Sequence, residues 1–272
     1  MTTQTILITG CSSGIGRTTA KYFQERGWNV IATVRSKPDK DEELNALENV
    51  LVAELDVTVK RTIEDAIAAG IERFGKIDVV LNNAGYGSYG LLEATPEHKM
   101  RKQYDVNVIG PMLVMQSILP HFRKRGGGTI INISSMGGKI TFPLGTLYHG
   151  SKFAVEGMSE ALSHELGPIG VKIKLIEPGV INTNFAGSSF DMNVDPSLTE
   201  YNPLVEAVTK AFAAATGGSD PIVVAQAVWE AATDGSDQLR YIAGEDATQI
   251  IAARKQMEDP EYLALVRSQM GL

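Results

Sequence analysis

Short runs of Val, Ile and Leu alternate with longer amphipathic stretches along most of the chain. Residues 5–9 read as a buried strand and residues 17–26 as a helix stopped by Gly27. The pairing recurs as a strand over 29–34 with a short helix over 41–48, then a strand over 50–55 with a helix over 59–74 ending at Gly75. A further strand covers 77–81. Thr95 is placed to cap a long helix that takes Pro96 in its first turn. Gly110 and Pro111 bend or interrupt that helix, and Gly126, Gly127 and Gly128 end it before a strand over 129–133. A helix over 147–166 and a strand over 171–176 complete the regular part. Strand–helix–strand succession requires crossover connections, which make a parallel sheet covered on both faces.

The alternation weakens after Gly179. Residues 184–216 place Phe185, Phe190, Met192, Tyr201 and Phe212 among Asn, Asp, Ser and Pro. Residues 245–272 read as a largely polar helical tail interrupted at Pro260. With no internal repeat, low-complexity tract or linker, 272 residues suit one large α/β domain over 1–272 better than two small ones. Hydrophobic content of 43% and charged content of 21% are those of a soluble chain with a full core. A net charge of −7 removes the basic footprint of a nucleic-acid binder. Arg123, Lys124 and Arg125 instead suit a helix C-terminus, where cations are favoured. Cys11 is the only cysteine, so no intramolecular disulfide can form, in keeping with a reducing cytosol. No basic leader with a long apolar stretch opens the sequence, and no apolar run reaches the length of a membrane span. A cytoplasmic protein is expected.

Residues 9–16, between a strand and a helix, read Thr-Gly-Cys-Ser-Ser-Gly-Ile-Gly. Gly10, Gly14 and Gly16 permit backbone angles and a close approach that a Cβ would prevent. The helix N-terminus that follows offers amides and a positive dipole end to a dinucleotide pyrophosphate. The spacing is G-x-x-x-G-x-G rather than G-x-G-x-x-G, and a tight strand–helix connection would use such glycines too. An acid at the end of the second strand would bond the ribose 2′-hydroxyl of NAD, whereas an arginine meets a 2′-phosphate. Thr33-Val34-Arg35-Ser36 has no acid, so Arg35 points to NADP(H), the alternative being a solvated surface arginine. Lys37 either assists or is a bystander charge. Asn82-Asn83-Ala84-Gly85 offers small residues along which a cofactor can lie, with Asn82 placed to tie adjacent strands. Such a run also makes a simple turn. Cys11 has no histidine beside it and reads as a small loop residue rather than a nucleophile.

Tyr148 and Lys152 share a helix face one turn apart, thirteen residues beyond Ser135. A phenol with an ordinary pKa of about 10 exchanges protons poorly near neutrality, and a nearby ammonium lowers that value. Alone, a Tyr–Lys pair is usually packing, Ser134-Ser135 can end a strand, and Asn107 can bond locally. The ordered set is specific: residues 9–16, Asp56-Val57, 82–85, Asn107, Ser135, Tyr148 with Lys152, and Pro178-Gly179. In this set the chain resembles the short, single-domain (classical) branch of the short-chain dehydrogenase/reductase superfamily over residues 4–183.

The resemblance implies an α/β, three-layer Rossmann fold, a doubly wound parallel sheet of about seven strands with helices on both faces. It makes Tyr148 the acid/base and gives Lys152 a second role on the nicotinamide ribose. Ser135 would bond the substrate oxygen, and Asn107 would complete a proton path to Lys152 through a bound water. The implied cofactor contacts are Gly10, Ser12, Ser13, Gly14, Ile15, Gly16, Arg35, Asp56, Val57, Asn83, Ala84, Gly85, Tyr148, Lys152, Pro178, Gly179, Val180 and Thr183. Asp56 would bond the adenine. The implied activity is NADP(H)-dependent interconversion of a carbonyl compound and an alcohol. The alternatives are a non-catalytic nucleotide-binding regulator, which needs no acid/base, and epimerase or dehydratase chemistry on the same scaffold. Residues 184–216 should cover the substrate, their aromatics either marking a hydrophobic small molecule or merely packing on the body. Tyr86, Met136 and Leu144 should neighbour the pocket. His149 either tunes substrate binding or, as one of four scattered histidines, is incidental, and His98, His121 and His164 form no metal motif. A homodimer or homotetramer through helices near 96–122 and 147–167 is implied.

Overall fold

The structure, a computed structural model, describes residues 3–183, 189–214 and 217–272. Phe185 lies outside the described residues. The strands are β1 (Thr5–Ile8), β2 (Asn29–Val34), β3 (Val50–Glu54), β4 (Val79–Asn82), β5 (Gly87–Gly90), β6 (Gly128–Ile133), β7 (Val171–Pro178), β8 (Phe190–Asn193) and β9 (Arg240–Ala243). Seven of them form one sheet in the order β3-β2-β1-β4-β6-β7-β9. Every pairing in it is parallel. The connecting helices are α1 (Gly14–Gln24), α2 (Glu42–Asn45), α3 (Lys60–Phe74), α4 (Glu97–Tyr104), α5 (Gly110–Arg125) and α6 (Thr146–Leu166).

Alternation along β1 shows how the layers form. Ile6 and Ile8 pack on one face with Phe23 of α1 and with Val224 and Val228 of the helix Pro221–Thr233. Leu7 packs on the other with Ile63 of α3, Val80, and Val114 and Ile118 of α5. Both faces are dry, so the strands need apolar residues at every position rather than at alternate ones. Each such side chain contributes roughly 1.5–3 kcal/mol by leaving water. Among the described residues no helix is long and apolar enough to cross a membrane.

Several elements depart from the sequence reading. Thr95 is no cap: its hydroxyl donates to the Leu91 carbonyl at 2.7 Å, and α4 begins at Glu97 after Pro96. The interruption near Gly110 is a π-helical turn over Asp105–Ile109. Pro260 does not break a tail but starts its second helix; the helices are Glu245–Lys255 and Asp259–Met270. Nor is that tail loose. Tyr262 and Val266 are buried against Ile140 beside Met136 and Phe142, and the Tyr262 hydroxyl donates to the Thr141 carbonyl at 2.9 Å. The edge strand β9 and the separate parallel pair β5–β8 carried no sequence signal.

Candidate active site

β1 has β2 on one side and β4 on the other, so the chain winds outward in both directions from that point. The carboxyl ends of these strands open a crevice there. The Thr9 hydroxyl accepts the Asn83 and Ala84 amides at 2.9 and 3.0 Å. The Asn83 side-chain amide donates back to the Thr9 and Gly10 carbonyls at 2.8 and 3.1 Å. These bonds lock residues 82–85 onto the glycine turn. A Cβ on Gly16 would lie 2.3 Å from the Gly10 carbonyl oxygen and 2.5 Å from Asn83 Nδ2, so no side chain fits there. Gly10 and Gly14 have φ of 75° and 56°, the left-handed region glycine favours. Ser13 precedes α1 without a side-chain cap, which leaves that helix end suited to an anion. Thr183 closes over the turn: a Cβ on Gly14 would meet its methyl at 3.2 Å. The structure thus brings together residues 10–16, 83–85 and 178–183.

Asn82 ties neighbouring strands as its position suggested, donating to Asn132 Oδ1 at 2.8 Å. Asp246 had no sequence signal. Its carboxylate accepts the Val180 amide at 2.7 Å and occupies the space a Gly179 side chain would need. Asp56 follows β3 and accepts the Thr58 amide and hydroxyl at 2.9 and 2.7 Å. Val57 is buried against Gly110. Cys11 is fully buried, and burial pushes its thiol up to about 12, so it is no nucleophile.

Arg35 is exposed at the end of β2. Beside it lies a groove of about 390 Å³ lined by Ser12, Arg17, Ser36, Lys37, Lys40 and the acids 41–43. Arg17 pairs with Asp41 and Glu43, so its charge is already balanced.

At the next strand end, Ser135 follows β6 and its hydroxyl accepts the Gly137 amide at 3.0 Å. The same hydroxyl bonds the Tyr148 side chain, whereas the buried Ser134 hydroxyl has no hydrogen-bond partner among the described residues. Lys152 donates to the Ile133 carbonyl at 2.9 Å and lies 5.8 Å from the Tyr148 ring centroid. Burial pushes the Tyr148 phenol above its ordinary pKa, with the Ser135 bond opposing. Burial also pulls Lys152 down to about 8, with Glu156 opposing. The sequence predicted a phenol lowered by its lysine. The correction is physical: desolvation dominates at the phenol, and the Lys152 ammonium is turned to a carbonyl. At neutral pH the site holds a phenol beside an ammonium.

The Asn107 side chain does not face Lys152. It accepts the Tyr86 amide at 2.8 Å and donates to the Tyr86 carbonyl at 2.8 Å and to Ser151 Oγ at 3.1 Å. Four residues on stands Pro111, which has no amide hydrogen, so the Asn107 carbonyl lacks its ordinary helical donor.

Tyr89, which sequence reasoning missed, stacks on Tyr148 at 5.2 Å and on Phe190 at 5.3 Å. Phe212 meets its edge at 6.3 Å. The only available signal was an aromatic among glycines in β5. Tyr86 and Lys99 donate to Asp191 at 2.9 and 3.0 Å, which fastens β8 to the body. Leu144 is buried with Leu91 and Val208, while Tyr201 packs on that cluster and bonds Glu93 at 3.0 Å. His149 proves structural rather than incidental. Its Nδ1 lies 2.9 Å from the Gly137 carbonyl and its Nε2 accepts the Phe142 amide at 3.0 Å, stapling the segment after Ser135.

An anion-ready turn at the switch point of a parallel sheet, facing a hydroxyl–amine cluster, is the architecture of dinucleotide-dependent oxidoreductases. The family model for short chain dehydrogenase matches residues 4–194, and the chain belongs to that family of oxidoreductases. An uncharacterized oxidoreductase of Schizosaccharomyces pombe is 42% identical over 241 residues, covering 87% of this chain and 99% of its own. A short-chain dehydrogenase from Streptomyces avermitilis superposes with a TM-score of 0.83 at 30% identity, over 100% of this chain and 98% of its own. ElxO with NADP bound superposes with a TM-score of 0.72 at 27% identity, over 88% and 97%. Solved chains of this fold carry NADP in some cases and NAD in others.

Proposed function

We propose that the protein interconverts a carbonyl compound and an alcohol with NADP(H), with Tyr148 as the acid/base. The observation that carries this reading is the Tyr148 hydroxyl held on Ser135, with Lys152 one turn away and the glycine turn opposite. The cradle left by Gly10, Gly14 and Gly16 fits a pyrophosphate, held with the amides of Ser12, Ser13 and Ile15. Asp56 and Val57 would take the adenine, Arg35 the 2′-phosphate, and Asn83, Ala84, Gly85, Pro178, Gly179, Val180 and Thr183 the remainder. Bound NADP(H) supplies or accepts the hydride. Tyr148 gives its proton to the carbonyl oxygen, and Ser135 hydrogen-bonds that oxygen. Lys152 stabilises the phenolate left behind and returns a proton to it. The Asn107 carbonyl is the atom suited to hold a water on that route. A phenol raised by burial stands in its acid form at neutral pH, which favours reduction. The aromatic wall of Tyr89, Phe190 and Phe212 suits a hydrophobic substrate.

The test is loss of nicotinamide absorbance with small and bulky ketones and aldehydes, NADPH and NADH run in parallel. Alcohol formed in step with NADPH consumed excludes epimerase and dehydratase chemistry for that substrate. Tight NADPH binding with no turnover across the panel favours a regulator. Arg35→Asp should shift preference from NADPH towards NADH by about tenfold or more, since a charge-assisted bond contributes roughly 1.5–3 kcal/mol. An unchanged ratio of kcat/KM values removes Arg35 from this role.

Residues 1–272 are read as one catalytic domain in the reducing cytosol, consistent with the single buried thiol. A groove of about 590 Å³ between α5 and α6, lined by Met112, Met115, Leu119, Met158 and Leu162, supports a homodimer or homotetramer through these helices. Light scattering should give a multiple of the chain mass, and Met158→Glu should reduce it.

A further inference from the structure

We propose that Glu156 is a positioning residue that keeps Lys152 protonated, acting across one helical turn from a buried ion cluster formed with Lys139, Glu177 and Arg240. The inference rests on the reading of Lys152 as the partner of Tyr148. Tyr148, Lys152 and Glu156 follow one another at four-residue steps and share one face of α6. Glu156 is only 4% exposed, a position carboxylates rarely take unless paired. Its Oε2 accepts Arg240 Nε at 2.8 Å and lies 3.3 Å from Lys139 Nζ, while its Oε1 has no hydrogen-bond partner among the described residues. Gly138 lets it sit close: a Cβ there would meet Glu156 Cγ at 2.9 Å and Ser134 Oγ at 2.8 Å. The carboxylate is thus fixed directly behind the strand end that carries Ser135.

The surrounding charges decide the sign of its effect. Glu177 of β7 is 1% exposed and lies 3.5 Å from Arg240 Nε and 4.0 Å from Lys139 Nζ. Glu160, one turn further along α6, also takes Arg240, at 2.6 Å. Lys255 acts on Glu177 from the helix Glu245–Lys255. His149 faces away, towards Gly137 and Phe142. Three cations therefore face three carboxylates here, and the charge that acts on Lys152 is the one a single turn away on its own helix, Glu156. Among the described residues Lys152 has no ion-pair partner; it donates to Ile133. Burial strips its ammonium of water, and Glu156 is the charge that opposes the loss of its proton. Glu177, pushed up to about 7 by burial and by Glu156, shares Lys139 and Arg240 with it.

A structural role alone, holding Arg240, would leave the Lys152 titration unmoved. The experiment follows the side-chain nitrogen resonances of isotope-labelled lysine against pH in the full-length protein, with the Lys152 signal assigned by Lys152→Met. The wild-type midpoint is expected near 8. Glu156→Gln keeps the shape and should lower the midpoint by about 1 unit or more. Lys139→Met removes an opposing cation and should raise it. The alkaline limb of kcat/KM for carbonyl reduction should move with the midpoint. An unmoved midpoint in folded Glu156→Gln overturns the proposal; if that variant does not fold, an unmoved midpoint in Lys139→Met does so. A shifted midpoint in a protein that reduces no carbonyl leaves this inference standing and removes the proposed function instead.

Discussion

Tyr148→Phe is expected to lower turnover by roughly 10²–10⁴-fold, the range general-acid catalysis supplies, with NADPH affinity little changed. The substitution removes one oxygen and leaves the ring. The ring is held by its stack on Tyr89 at 5.2 Å, so the wall of the pocket survives. What disappears is the hydroxyl that bonds Ser135, the group proposed to hand a proton to the substrate oxygen. Pre-steady-state rates together with a fluorescence titration of NADPH separate the two effects. Substantial residual turnover would remove Tyr148 from its role. The direction of its pKa adds a second signature. Burial raises the phenol, so oxidation, which needs the phenolate, should quicken as pH rises above neutrality. Reduction should fall once Lys152 loses its proton near pH 8. Neither limb should survive in the variant.

That the phenol is raised rather than lowered marks where sequence reasoning stops. The strands β1 to β4 and the glycine turn were legible because apolar period and glycine spacing are local properties of the chain. So was the shared face of Tyr148 and Lys152, which helix geometry alone determines. Desolvation is not local: it depends on Tyr89 closing over the ring, itself backed by Phe190. The two small strands that bring those rings together, Gly-Ser-Tyr-Gly and Phe-Asp-Met-Asn, are four residues each and have no β-branched residue. They pair because Asp191 is fastened by Tyr86 and Lys99. Asp246 and Glu177 were illegible for the same reason. Each is an ordinary acid in sequence and becomes distinctive only when folding brings it to the end of β7. Thr95 misled because its hydroxyl found a carbonyl behind it before it could cap the helix ahead.

Lys174 shows the same limit in the core and gives the largest expected loss of stability. It stands in β7 at 1% exposure, where the sequence pattern offered only an apolar strand with an odd charge. Its ammonium donates to Asp234 Oδ1 at 2.5 Å and to the Tyr241 hydroxyl at 2.7 Å. Asp234 also accepts the Ser236 amide at 2.9 Å. Asp234→Ala leaves a buried cation with a hydroxyl as its remaining partner, and should cost roughly 3 kcal/mol. Replacing Lys174 by Met in the same chain should restore much of that loss, because the penalty lies in the unpaired charge rather than in the absent bond. Denaturant unfolding of the two variants measures both. The pH dependence has a definite sign. Burial alone would raise the Asp234 carboxyl, but the bonds from Lys174, Tyr241 and Ser236 outweigh it and hold the group well below the usual range. The stabilisation is therefore complete above about pH 4, the ordinary value, and is lost as pH falls towards the depressed one. Wild type should weaken through that acid window more steeply than Asp234→Ala. Parallel acid limbs would show that the pair contributes nothing that depends on its charge.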